Sequence, residues 1–219
     1  MKTTNNFFDT YVSATYIEKD SFKMQKNIIF PVMKRWADIL LSLIGLLMTS
    51  IIIIVFAILI KLETPGPAFF IQKRVGKNGK YFNLIKLRSM CVDAEKNGAQ
   101  WAQKNDPRVT KVGSFMRKTR IDELPQFINV LRGNMSIIGP RPERPMFTAQ
   151  FNEEIPGFIN RLSVKPGLTG WAQINGGYEI TPNEKLKLDL YYIENQSILM
   201  ELKIMLKTVR IVITGNGAR

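Results

Sequence analysis

The chain has 219 residues, with 31 Lys and Arg against 18 Asp and Glu, a formal net charge of +13 and a pI near 9.9; that length suits one catalytic body plus a hydrophobic segment, not two independent domains plus such a segment, and the charge points to anionic partners such as lipid headgroups, phosphorylated small molecules or nucleic acid. It has no histidine and a single cysteine, Cys91, which excludes an intrachain disulfide and removes both the commonest general base and the commonest metal ligand. Chemistry therefore falls to carboxylates, Lys, Arg and Tyr.

Residues 1–33 are polar and aromatic without a period and lack the pattern of a cleaved signal peptide, so they read as a loosely ordered arm. Ile39 to Ile60 is free of charge, bracketed by Lys34, Arg35 and Asp38 before it and by Lys61 and Glu63 after it. That run is long enough to span a bilayer core as a helix. Positive charge at both ends does not choose an orientation. One solution keeps both ends on the same side through a re-entrant helix over 34–62, broken near its middle where Gly45, Thr49 and Ser50 offer small or hydroxylated positions.

Thr64-Pro65-Gly66-Pro67 ends the helix. Ala68 to Val75 and Lys80 to Leu87, on either side of Gly76-Lys77-Asn78-Gly79, form a predicted β-hairpin whose Lys73, Arg74 and Lys77 either hold anionic lipid or are simply solvated. Asp106-Pro107 is expected to open a helical stretch through Arg117, and a second helix is expected from an Asp122 N-cap to Gly133. Short helices and Pro/Gly-rich loops follow. Ser197 to Ile213 places Ile198, Leu202, Met205, Leu206, Val209 and Val212 on one stripe, read as core-facing in preference to membrane-facing. The expected fold is α+β and mainly helical: a re-entrant membrane helix, then a compact cytosolic catalytic domain over 63–219 with a small β-hairpin and interfacial helices.

In Arg117-Lys118-Thr119-Arg120-Ile121-Asp122-Glu123, two carboxylates follow a basic cluster at a predicted helix start. Asp122 is either a helix cap or, beside arginine, an ionised carboxylate suited to nucleophilic attack. Glu123 with Asp122 could share a Mg²⁺ ion, which one or two carboxylates plus substrate phosphates commonly hold. Lys86 and Arg88 in Lys86-Leu87-Arg88-Ser89-Met90, and Arg141 between Pro140 and Pro142, are candidate phosphate-binding cations. Each is otherwise an ordinary surface charge.

Taken in order, Lys34-Arg35, the apolar run, Pro65-Gly66-Pro67, Lys86-Leu87-Arg88-Ser89-Met90, Asp122-Glu123-Leu124-Pro125-Gln126, Asn129-Val130-Leu131-Arg132-Gly133, Gly139-Pro140-Arg141-Pro142 and Lys165-Pro166-Gly167-Leu168-Thr169-Gly170-Trp171-Ala172-Gln173 closely resemble the bacterial sugar transferase family. These are monotopic polyprenyl-phosphate phosphoglycosyl transferases, and the match runs from about Lys34 to about Thr208.

The resemblance implies a two-step reaction at the cytoplasmic face of the bacterial inner membrane, starting capsule, exopolysaccharide, O-antigen or glycoprotein glycan assembly. Asp122 would attack a UDP-sugar and expel UMP, and polyprenyl phosphate would take the phosphosugar from the aspartyl intermediate. Glu123 matches the Mg²⁺-associated partner, and Arg117 and Arg141 match positions linked to nucleotide or phosphate. Membrane lipid is an expected partner, nucleic acid is not, and a homodimer is left open.

Two positions depart from the family pattern: Met48-Thr49-Ser50-Ile51 has no Ser-Pro break, and Gly133-Asn134-Met135-Ser136 has Asn where Asp is common. The N-terminal stretch leaves no room for the multi-pass region of longer relatives, so a minimal catalytic form is expected. The competing class is a non-enzymatic basic membrane adaptor, for which Asp122 would be dispensable.

Overall fold

The computed structural model describes residues 29–96, 98, 106–176 and 180–214. The predicted arm lies outside them up to residue 28, but its last five residues open the first helix, α1, Ile29–Glu63. The hairpin follows as β1, Phe69–Val75, and β2, Tyr81–Leu87, paired antiparallel with Phe70 opposite Lys86 and Arg74 opposite Phe82. Its turn uses Asn78 and Gly79 at positive φ, as tight hairpin turns require. Then come α2, Lys111–Thr119, a 3₁₀ turn at Ile121–Glu123, and α3, Gln126–Leu131.

Strand β3, Ser136–Ile138, pairs in parallel with β4, Gly167–Thr169, and between them lie α4, Pro145–Glu154, and a 3₁₀ segment, Phe158–Ser163. The chain continues as α5, Trp171–Asn175, α6, Pro182–Glu194, and α7, Ile198–Thr214. The mainly helical α+β architecture with one hairpin agrees with the sequence pattern, whereas the parallel β3/β4 pair was not anticipated.

α1 is continuous through Gly45, Thr49 and Ser50. The two hydroxyls donate to carbonyls one turn back, Thr49 Oγ1 to Gly45 O at 2.7 Å and Ser50 Oγ to Leu47 O at 2.9 Å, so they add to the backbone ladder without interrupting it. Asp38, Ser42, Gly45, Thr49, Ile53, Phe56 and Ile60, all buried or half-buried, are spaced as one helical stripe. That stripe touches the body along its whole length. Asp38 accepts from Ser136 Oγ at 2.9 Å and from the Ile137 N–H at 2.8 Å, near the helix start. Phe56 stacks on Phe115 of α2 with ring centroids 5.8 Å apart, and Ile60 is buried with Ala68, Leu87 and Met116. The remaining faces expose Leu40, Leu43, Leu47, Met48, Ile51, Ile54 and other apolar side chains.

Two helix starts differ from expectation. α2 begins at Lys111 with Thr110 as its cap, the hydroxyl accepting from Gly113 N–H at 2.9 Å. Asp106 instead binds the backbone N–H and guanidinium of Arg108, which holds that segment in a turn. Asp122 makes no cap, because it sits inside the 3₁₀ turn, and Pro125 occupies the capping position of α3. Gly133, at φ +80, ends α3 as expected.

The phase of α7 is also corrected. Met200 and Ile204 face the core with Ile138, Tyr192 and Ile193, and Thr208 shares a 2.8 Å hydrogen bond with Thr169 of β4. Of the predicted core stripe, Met205 alone packs against this cluster, while Ile198, Leu202, Leu206, Val209 and Val212 are exposed. A helix with apolar residues on more than one face offers two stripes, and the Tyr192 hydroxyl, which donates to Glu201 Oε1 at 2.6 Å, selects the face carrying Met200 and Ile204.

Candidate active site

The carboxylate pair is placed by a reversal of the chain. Arg120, in the left-handed conformation at φ +58, ends α2 with its N–H and accepts the Glu123 N–H at 3.1 Å with its carbonyl. The reversal brings Arg117, in the last turn of α2, towards Asp122 and Glu123. Asp122 is only 7% exposed, and Glu123 is ion-paired with Arg141. From the hairpin, Lys86 projects on the same face as Phe70 and lies 5.6 Å from that ring.

Four charged groups act on Asp122: Glu123, Lys86, Arg141 and Arg117. Burial, and then the charge of Glu123, push its carboxyl up to about 6, although the three cations pull the other way. The sequence suggested that arginine would dominate. Desolvation outweighs it, and the group still ionises at neutral pH. Glu123 goes the opposite way: burial raises it, but Arg141, with help from Arg120 and Lys86, holds it below the usual range. Burial lowers Lys86, and Asp122 is the main influence opposing that shift.

The frame around these side chains is polar and buried. Asn129 of α3, fully buried, accepts from Ile85 N–H at 3.0 Å and donates to the Asn83 carbonyl at 2.7 Å, fastening α3 to β2 beside Lys86. Arg35 of α1 donates to the Val130 and Leu131 carbonyls at 2.7 and 2.9 Å, covering the C-terminal end of α3. Gly139 lets β3 approach β4: an added Cβ would lie 2.4 Å from the Lys165 carbonyl oxygen.

Beyond Gly139, the loop carrying Arg141 is held from two sides. Arg161, buried with Asp189, donates to the Arg141 carbonyl at 2.8 Å, and Arg74 donates to the Pro142 carbonyl at 3.0 Å. Glu143 binds Lys185, and Lys185, Arg161 and Arg74 hold its carboxyl down at about 2 against the cost of burial.

A model of the family described as bacterial sugar transferase matches residues 13–215. The chain belongs to this family. It is 49% identical over 194 residues to an Aeromonas hydrophila UDP-N-acetylgalactosamine-undecaprenyl-phosphate N-acetylgalactosaminephosphotransferase, a match covering 87% of this chain and 46% of that protein. An Escherichia coli UDP-glucose:undecaprenyl-phosphate glucose-1-phosphate transferase is 45% identical over 182 residues, covering 81% and 39%. A Streptococcus agalactiae galactosyl transferase is 42% identical over 224 residues, covering 97% and 48%. The chain spans less than half the length of each of these relatives.

Of the residues singled out in this family member from sequence, Lys86, Arg117, Asp122, Glu123 and Arg141 come together. Arg88 does not join them. Its two terminal nitrogens donate to the Pro65 and Thr64 carbonyls at 2.5 and 2.9 Å, so it braces the turn after α1. Arg74, read from sequence as a lipid-facing or solvated charge, points inward and acts on both Glu123 and Lys86. Strand alternation carried that signal, since Phe70, Gln72 and Arg74 share the half-buried face while Lys73 is exposed. Asn129 and Arg161 were also missed. A polar residue inside Phe127-Ile128-Asn129-Val130-Leu131 was the available clue to the first, and nothing local marked the second.

Proposed function

We propose that the protein transfers a sugar-1-phosphate from a UDP-sugar to polyprenyl phosphate, of the undecaprenyl kind named for its relatives, releasing UMP through a phosphosugar-aspartyl intermediate on Asp122. The observation that carries this reading is one buried, ionisable carboxylate facing Lys86, Arg117 and Arg141, with its neighbour Glu123 locked to Arg141. Phosphoryl transfer spreads charge over non-bridging oxygens, and fixed cations in a partly desolvated site stabilise it without any histidine.

In the first step an Asp122 carboxylate oxygen bonds to the sugar-linked phosphorus as the bridging P–O bond breaks, and the electron pair leaves with UMP. In the second, a phosphate oxygen of the lipid bonds to the same phosphorus and the Asp122 carboxylate departs. Lys86 and Arg117 keep Asp122 ionised in both directions, while Arg141, with its loop held by Arg161 and Arg74, orients phosphate oxygens.

The carboxylate pair suits Mg²⁺. Glu123 raises its buried neighbour Asp122, a repulsion that a divalent cation would relieve. Among the described residues no cluster of three potential ligands occurs, so substrate oxygens would complete the set around Asp122 and Glu123. When bound, the ion would neutralise diphosphate charge.

A membrane location with an anchor lying in the membrane plane is supported by the contacts of α1, and the cytoplasmic face is the side on which a UDP-sugar would be met. From Arg35 to Ile60 a straight helix covers roughly 37 Å, more than the ~30 Å of a bilayer's hydrocarbon core, yet both ends and the middle touch the body. A helix crossing perpendicular to the membrane would touch it at one end. The exposed apolar stripe of α7 gives a second lipid-facing surface, and an active site at that plane meets a lipid phosphate without a long excursion. Capsule, exopolysaccharide or related glycan assembly is the fitting pathway class.

The deciding experiment is UMP release by the full chain in nanodiscs with undecaprenyl phosphate and a panel of UDP-sugars, with and without EDTA. Release from at least one sugar, abolished by EDTA, is expected. No release from any of them overturns the proposal, and release indifferent to EDTA removes the metal.

A further inference from the structure

We propose that Arg120, half-buried two residues before Asp122 and held at a backbone position suited to glycine, is a further phosphate-binding residue of the site. This rests on the transferase reading and extends it to a residue outside the set assigned above.

Among the described residues, the non-glycine positions with φ in the left-handed region are Asn78 and Arg120. Asn is at ease there, because its short side chain suits local hydrogen bonding, whereas a long unbranched side chain carries the Cβ penalty without that return. Helices that end in this conformation usually place glycine at that point. Glycine at position 120 would end α2 and form the same reversal through the same backbone groups, since the N–H to Arg117 O and the carbonyl to Glu123 N–H involve no side chain. Backbone geometry therefore does not explain the arginine.

Its side chain does have a place. Arg120 is half-buried, two residues before Asp122, and its charge is one of those acting on Glu123, beside Arg141 and Lys86. Lys86, Arg117 and Arg141 already outnumber the two carboxylates, with Arg74 shared with Glu143, so a further cation adds little folding stability. A diphosphate entering that space brings more negative charge than the three can match, and a guanidinium pairs with phosphate oxygens in a two-pronged geometry. Strain held at a reacting centre is the expected signature of a residue placed for function.

The shared ligand chemistry is phosphate oxygen, from either the UDP-sugar or the lipid phosphate. Arg120→Gly in the full chain in nanodiscs should move stability and activity in opposite directions: a thermal midpoint about 2–4 °C higher, with UMP release about tenfold or more lower. KM measured separately for UDP-sugar and undecaprenyl phosphate assigns the contact to whichever rises. The midpoint increase caused by UDP alone should shrink in the variant if the nucleotide sugar is the ligand, and Arg120→Lys should recover part of the lost activity. Unchanged activity in Arg120→Gly, or a lowered midpoint, overturns the inference, the latter because the side chain would then be holding the fold. A wild type that releases no UMP is instead a failure of the transferase reading, so the two failures are told apart.

Discussion

The ring of Phe127 lies across Gly45, so closely that an added Cβ at position 45 would come within 2.9 Å of its carbons. Phe127 belongs to α3, directly after the Asp122-Glu123 turn, and Gly45 lies near the middle of α1. α3, which follows the carboxylate pair, is thus packed onto α1 through this ring as well as through Arg35.

Gly45→Val should therefore destabilise the protein by about 1–3 kcal/mol through overpacking and reduce turnover by displacing α3. Gly45→Ala alone should be destabilising too, but in a Phe127→Ala background it should stabilise by up to about 1 kcal/mol, the helix-propensity gain of alanine over glycine. A double-mutant cycle of thermal midpoints checks this. Equal effects in both backgrounds would show that the ring does not occupy the notch.

Asp122→Asn should lower UMP release by at least about a thousand-fold without lowering the thermal midpoint, because a buried charge next to Glu123 is removed and only its neutral equivalent remains. Withholding the lipid acceptor from wild type should leave phosphosugar on Asp122 by mass spectrometry. Label on another residue would reassign the nucleophile.

Asp38→Ala should cost about 1–3 kcal/mol, since the Ser136 hydroxyl and the Ile137 N–H lose their acceptor in a buried place. Asp38→Asn keeps an acceptor oxygen and should cost less. Both are read by chemical or thermal unfolding, and a cost for Asn equal to that for Ala would show that charge rather than hydrogen bonding holds the helix start.

Glu143 predicts an acid limb. Its folded value of about 2 lies below the ordinary 4.5, so the stability it contributes is complete above pH 4.5 and disappears as pH falls towards 2. The linked free energy is on the order of 3 kcal/mol, less what burial of Lys185 and Arg74 takes back. In Glu143→Gln the slope of stability against pH over that window should flatten; an unchanged slope would move the acid sensitivity elsewhere.

Cysteines placed at Lys34 and Lys61, in a Cys91→Ser background, should both be labelled from the cytosolic side. Labelling from opposite sides would establish a crossing helix. Leu206→Glu and Val209→Glu, both exposed on α7, should weaken membrane association of the full chain while leaving the thermal midpoint within about 0.5 kcal/mol equivalent. A large loss of stability would show that this stripe is covered within the protein.

Local patterns carried the anchor, the hairpin and the carboxylate pair. An uncharged run, two short runs around Gly76-Lys77-Asn78-Gly79, and Asp122-Glu123 beside a basic cluster are each signals within about twenty residues of chain. Other features were as local and went unread: Thr181 and Glu184 form a reciprocal cap that starts α6, and the alternation of β1 places Arg74 inward. Arg88 had two readings because a stiff frame around an arginine looks the same whether it serves a ligand or a neighbouring turn, and in the structure it bonds the turn.

By itself, the sequence determined the family, the presence of a long apolar helix, the absence of histidine chemistry and the adjacency of two carboxylates behind a basic cluster, since these depend on composition and on residues close in the chain. Only the tertiary structure decided which cations meet those carboxylates, which side of α7 is covered, and that α1 lies along the body from Asp38 to Ile60. Those outcomes depend on contacts between segments up to a hundred residues apart, such as Asp38 with Ile137, where burial and hydrogen-bond partners are set by packing and leave no mark in local pattern.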